Sequence, residues 1–224
     1  MKMENIIRHE HTFGKVKRTR KFTKYFVTIC KNLNSNLKIS DEACQAMNLL
    51  LIHFVKKITL TSCNVVNVTK KKTLGEQHFE TSLKLFFKED IANMLTENVN
   101  YKMNKYLDIN FEENNRQQHA GLIFPPCICE KIIRDINNER YILTKHVSVY
   151  CSIVVERLSF LILKECDFSN LLICVEDLRN IKSVMIADIL KKIKFNFKDD
   201  LLYPKKVFEK YIRKNIKEIK KNII

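Results

Sequence analysis

The 224-residue sequence has three glycines, three prolines and no tryptophan. So few Gly and Pro leave little of the punctuation that tight hairpins, dinucleotide-binding turns and phosphate-cradling loops require. Folds built on those devices are disfavoured and an all-helical protein is expected. No Gly-rich phosphate loop, metal constellation or acid/base pair at a motif spacing is present, which argues against an enzyme. The first residues, MKMENIIRHEH, are polar and do not form a secretory signal. No apolar run reads as long enough to span a membrane, so a soluble protein is expected.

The eight cysteines follow no repeated spacing. This pattern suits reduced, partly buried intracellular thiols better than a disulfide framework. Cys127 and Cys129 form one Cys-x-Cys pair with no second pair at zinc-ligand spacing, and His9 and His11 are an equally weak pair. No metal or cofactor is expected.

Hydrophobic residues make up 46% of the chain, enough for a packed core, and the formal charge is +15. That charge is concentrated at the ends. Residues 1–24 hold eight Lys/Arg against two acids and residues 191–224 twelve against four, leaving a body with a net charge of only +1. Basic ends are attracted to polyanions, either nucleic acid or acidic lipid.

Apolar periodicity predicts a short helix over 23–33, with Phe26, Ile29 and Leu33 on one face. A long helix follows from Ser40-Asp41-Glu42, where serine caps and the acids suit the positive end of the dipole. Its stripe runs through Met47, Leu50, Leu51, Phe54, Ile58, Val65 and Val66 to about Asn67. After the lysine triplet, Thr73 and Glu76 stand at capping-box spacing before a short helix to Phe86, and one further helix is expected from Asp90 to Tyr106. A polar connector (107–119) leads to a second set: a short helix over 128–136, a long one over 147–168, and short ones near 175–181 and 185–193. Each half repeats the order short, long, short, and a long helix crossed by two short ones needs a partner to bury its stripe.

That order is the histone fold, and the residues resemble it more closely still. ISDEACQAMNLLLIHFVKKI resembles the start of the long helix of histone two-B, and KKKTLGEQHFETSLKLFFKEDIANMLTENVNYKMNKY follows that histone's loop, third helix and C-terminal helix without a gap. In the second half AGLIFPPCICEKIIR looks like the AGL-x-FP opening of histone two-A, and VYCSIVVERLSFLIL like its long helix. The order on one chain resembles the histone doublets of large DNA viruses of amoebae. The resemblance covers about residues 17–192. It implies two histone folds forming an intramolecular handshake pseudo-dimer. Residues 1–21 would be a basic tail, 22–106 and 120–193 the folds, 107–119 a connector, and 194–224 a basic extension.

The resemblance also implies a site: sequence-independent contact with double-stranded DNA. In the first half it falls on Lys17, Arg18, Arg20 and Lys21 of the tail, Lys24 and Tyr25 of the first helix, Ile39 and Ser40 of the first loop, and Lys70, Lys71, Lys72 and Thr73 of the second. Lys71 replaces an arginine that enters the minor groove, which keeps the charge and loses the planar fork. In the second half it falls on Arg116, Lys131, Arg134, Arg140 and Lys145. Ile128 and Leu172 replace arginines there, so a weaker grip is implied. The family's acidic patch is represented by Asp90, Glu97 and Glu156, while Leu161 and Lys164 occupy acidic positions, implying an altered patch. A partner doublet resembling histones three and four is implied, with a location in the virion and the viral factory or host nucleus. On its residues alone the lysine triplet reads first as a solvated loop, with an import signal and a phosphate grip as the alternatives. The C-terminal stretch from Pro204 has Val207, Phe208, Tyr211, Ile212, Ile216 and Ile219 at helical spacing against lysines, which suits docking on the protein, DNA or a membrane.

Overall fold

A computed structural model of the chain describes residues 22–107, 116–167 and 169–197. The basic tail with Lys17, Arg18, Arg20 and Lys21, most of the connector and the C-terminal amphipathic stretch lie outside the described residues.

Helix α1 (Thr23–Leu33) buries Phe26, Ile29 and Cys30. Strand β1 (Lys38–Ile39) leads into α2 (Asp41–Val68), whose N-cap Ser40 accepts a hydrogen bond from Ala43 N at 3.2 Å, with Asp41 and Glu42 in the first turn. With 28 residues, α2 is about 42 Å long. By length and composition this helix qualifies as a membrane span, contrary to the sequence expectation, but half of its apolar window is buried inside the protein. Its buried face, from Ala43 and Met47 to Ile58 and Val66, is the core that the other helices cover.

Strand β2 (Thr73–Leu74) and α3 (Glu76–Phe86) follow. Thr73 does not cap α3, because it is engaged in the strand. Gly75 is the N-cap residue, and His78 Nδ1 accepts from Gly75 N at 3.1 Å. The expected single helix over 90–106 is two, α4 (Glu89–Thr96) and α5 (Val99–Leu107). The break has a physical cause. Asn98 adopts a left-handed conformation (φ 64°), which asparagine tolerates, and Arg157 Nε donates to Met94 O, the carbonyl a continuing helix would have given to Asn98.

The second set comprises α6 (Arg116–His119), α7 (Pro126–Asn137), β3 (Ile142–Leu143), α8 (Val147–Lys164), β4 (Leu172–Ile173), α9 (Val175–Arg179) and α10 (Val184–Ile193). Pro126 opens α7 at a position where its missing N–H costs nothing. Helix α8 ends four residues earlier than its periodicity suggests. The order short helix, strand, long helix, strand, short helix thus occurs twice.

The two sets interlock. α7 packs on α2 as well as on α8, while α1 packs on α8 as well as on α2, and α4 and α5 lie along α8. The small strands, absent from the all-helical expectation, join the sets at two places. Parallel β1·β4 aligns Lys38 with Leu172 and Ile39 with Ile173; parallel β2·β3 aligns Thr73 with Ile142 and Leu74 with Leu143. Phe124, in the segment before α7, is fully buried, with its ring centroid 5.0 Å from that of Phe22, 5.7 Å from Phe26 and 6.0 Å from Tyr25.

Candidate nucleic-acid interface

The two ends of α2 position the candidate residues. At its C-terminus the chain leaves Val68 through Lys70, which is left-handed (φ 53°), so Lys70, Lys71 and Lys72 project as three consecutive exposed ammonium groups. The strand that follows fixes them beside the second set: Ile142 N donates to Lys72 O and Thr144 N to Leu74 O, both at 3.0 Å. Thr144 Oγ1 also donates to Glu76 Oε2 at 3.0 Å. A side chain at Gly75 would meet Thr144 Cγ2 at 3.0 Å, so glycine allows this close approach.

Across the pairing lie Arg140 and Lys145, both exposed. The turn that presents Arg140 is built by Asn137, whose Nδ2 donates to Tyr141 O at 2.6 Å and whose Oδ1 accepts from Tyr141 N at 3.2 Å. Asn138 and Glu139 are both left-handed. The result is a broad groove of about 1000 Å³ whose lining includes Lys72, Arg134 and Arg140 against the two acids Asp135 and Glu139. Ammonium and guanidinium groups around an open groove suit a phosphate backbone, since they supply charge and donors without reading bases. His78, beneath the lysine loop, is buried. Burial lowers its pKa and the nearby Lys71 lowers it further, in keeping with a neutral Nδ1 that accepts the Gly75 amide.

At the other end of α2, Ile39 and Ser40 are half-buried. Lys38 N donates to Leu171 O and Ser40 N to Ile173 O, both at 2.9 Å. Leu171 and Leu172 are 42% and 40% exposed. On α1, Lys24 is exposed with its Nζ 4.8 Å from the Tyr25 ring centroid. Tyr25 is half-buried against Phe124.

The remaining candidates are placed differently. Lys131 is exposed. Arg134 is exposed but paired with Glu130 at 2.9 Å. Arg116 is turned inward: one Nη is 2.9 Å from Glu130 Oε2 and the other donates to Ser148 Oγ at 3.2 Å. It ties α6 to α7 and α8, while 31% of its side chain stays exposed. Burial pushes the Glu130 carboxyl up, but hydrogen bonds from Arg134 and Arg116 outweigh it and hold its pKa below the usual range.

The three candidate acids do not form one exposed surface. Asp90 is exposed, and Glu97, also exposed, is paired with Arg157. Glu156 is buried, its carboxylate accepting from Ile123 N at 2.6 Å and Phe124 N at 3.3 Å while lying 2.5 Å from Lys102 Nζ. It joins α5, α8 and the segment before α7, and is corrected from a surface acid to an internal tie. Beside it, a small cavity of about 190 Å³ is bordered by Glu97, Lys102, Arg157 and Phe160, so cations stand among the acids.

Cys127 is exposed while Cys129 is buried, so this Cys-x-Cys pair faces two ways. Cys129 is hydrogen-bonded to Cys151, and all eight cysteines are free thiols. Among the described residues no group of three or more His, Cys, Asp or Glu has metal-site geometry. Sequence reasoning missed Asn137, His78 and Lys102. Only the Asn137-Asn138 pair, a turn signal, pointed to one of them.

A family model described as histone-like transcription factor (CBF/NF-Y) and archaeal histone matches residues 25–83. Those residues form a histone-fold domain. The match runs from α1 through β1, α2 and β2 to within three residues of the end of α3, so it includes the lysine loop of the domain and its neighbouring helix ends. Histone-fold proteins bind DNA and form oligomers with histone partners, and the family is in general non-enzymatic. No curated protein matches the chain at a significant level.

Proposed function

We propose that the chain is a histone doublet, with a two-B-like fold over 22–106 and a two-A-like fold over 120–193 forming an intramolecular handshake. It packages double-stranded DNA in nucleosome-like particles by contacting the phosphate backbone. The observation that carries this reading is the parallel β2·β3 pairing, which sets Lys70–Lys72 of the histone-fold domain beside Arg140 and Lys145 of the second set. Such a surface holds phosphates without base-edge contacts. The basic tails supply much of the long-range attraction, since the body carries a net charge of only +1. A partner doublet resembling histones three and four completes the particle, in the virion and the viral factory or host nucleus, and the protein acts by binding rather than by catalysis.

Binding to duplexes of unrelated sequence across a salt series tests this. The expected result is a steep loss of affinity with salt and near-equal affinity for all sequences; a strong preference for one sequence at physiological salt contradicts it. A second reading, a histone-fold regulatory or scaffold module acting mainly through protein contacts, is favoured by exposed Leu171 and Leu172 at the β1·β4 end. It is distinguished by failure to give a nuclease-protected particle.

A further inference from the structure

We infer that duplex DNA is gripped at only one of the two strand-paired ends, β2·β3, and turned away from the other, so that the protein binds DNA with a fixed polarity. This inference rests on the DNA-packaging reading above. The two ends have the same backbone frame: a two-residue parallel pair, each strand leading directly or within a few residues to a helix. Their difference lies in the side chains. Residues 69–76 and 138–146, around β2·β3, hold five Lys/Arg against two acids. Residues 38–42 and 165–177, around β1·β4, hold six acids against the single Lys38.

The carboxylates at the β1·β4 end are not all absorbed by the fold. Asp177 is used, accepting from Cys174 N at 2.6 Å, and Glu176 lies 3.4 Å from Arg179. Asp41, Glu42 and Glu165 are exposed, and Asp167, also exposed, accepts from Ser169 N at 2.9 Å. Asp41 and Glu42 also occupy the first turn of α2, so the positive end of that helix dipole is already matched by its own acids. The first turn of α8, at the β2·β3 end, has none. Exposed Leu171 and Leu172 add a surface that offers phosphate no side-chain donor.

Distance makes the two ends independent. They lie at opposite termini of the 28-residue helix α2, about 42 Å apart. The Debye length at physiological ionic strength is about 8 Å. The lysines of one end therefore cannot offset the repulsion at the other. If successive backbone contacts fall one helical turn of DNA apart, loss of an end shortens the path of bound DNA by about 10 base pairs.

The test uses the full chain and a mixed-sequence duplex of about 30 base pairs, with affinity followed by fluorescence anisotropy across a salt series and the fold of every variant checked by thermal melting. Lys70→Ala/Lys71→Ala/Lys72→Ala is expected to weaken binding roughly ten-fold or more and to lower the salt slope by about 2 to 3. Lys38→Ala should change affinity less than about two-fold, since it lies among repelling acids. Asp41→Asn/Glu42→Gln/Glu165→Gln/Asp167→Asn should strengthen binding several-fold, and Asp41→Asn/Glu42→Gln replaces it if the fourfold variant melts early. Equal losses from Lys38→Ala and the triple variant, or no gain from removing the acids, overturn the polarity while leaving the packaging reading intact. Absence of DNA binding by the unsubstituted chain overturns the packaging reading, and the polarity with it.

Discussion

Replacing Glu156 by alanine removes three interactions at once: the ion pair with Lys102 and the hydrogen bonds from Ile123 N and Phe124 N. Removing one partner of a buried ion pair costs about 3–5 kcal/mol. Lys102 has 24% of its side chain exposed, so it can turn to water, and the lower end of that range applies. Each amide left without a partner costs about 1–3 kcal/mol, reduced where water enters the space left by the carboxylate. Together these give a loss of about 4–5 kcal/mol, a large part of the roughly 5–15 kcal/mol that stabilises a typical domain. Glu156→Gln keeps an acceptor for the amides and loses the charge, so about half that loss is expected. Urea unfolding followed by circular dichroism measures both. A loss under about 1 kcal/mol for Glu156→Ala, or equal losses for the two variants, would refute the view that this carboxylate ties α5 and α8 to the segment before α7.

Two further outcomes are expected. The depressed pKa of His78 means that the unfolded chain binds a proton more readily than the folded one; stability should therefore be fully present above the ordinary histidine value of about 6.5 and fall as pH drops below it, by at most about 1.4 kcal/mol per pH unit. His78→Gln should remove that dependence, and an unchanged pH profile in the variant argues against the His78 cap. Burial pushes the thiols of Cys30 and Cys166 up to about 12 and Cys44 to about 11, so a disulfide reagent applied to the native protein should modify exposed Cys127 first and half-buried Cys174 more slowly; rapid reaction of Cys30 or Cys166 counters the packing described.

Local features of the fold were legible in the sequence. Ser40-Asp41-Glu42 marks the start of α2 because capping and dipole effects act within one turn, and the apolar stripe to Val66 follows from helical period alone. The break at Asn98 was not legible, since it depends on Arg157, about sixty positions away, taking the Met94 carbonyl. Likewise Thr73 and Glu76 have capping-box spacing, but strand pairing with Ile142 engages Thr73 and leaves capping to Gly75 and His78. For the candidate site, sequence position alone located Lys70–Lys72, while their closeness to Arg140 and Lys145 needed the pairing of segments some seventy residues apart. Arg116 and Glu156 look like surface charges in the sequence. Their partners Glu130, Lys102 and the Ile123 amide are brought to them only by packing of the two sets.

The proposed packaging role requires the protein to wrap DNA without regard to sequence. Nuclease digestion of mixed-sequence DNA bound to the chain, with and without a partner doublet resembling histones three and four, tests it most directly. The expected result is a discrete protected length that is the same for unrelated sequences and grows when the partner is added. Complete digestion in both cases, or protection confined to one sequence, would contradict it.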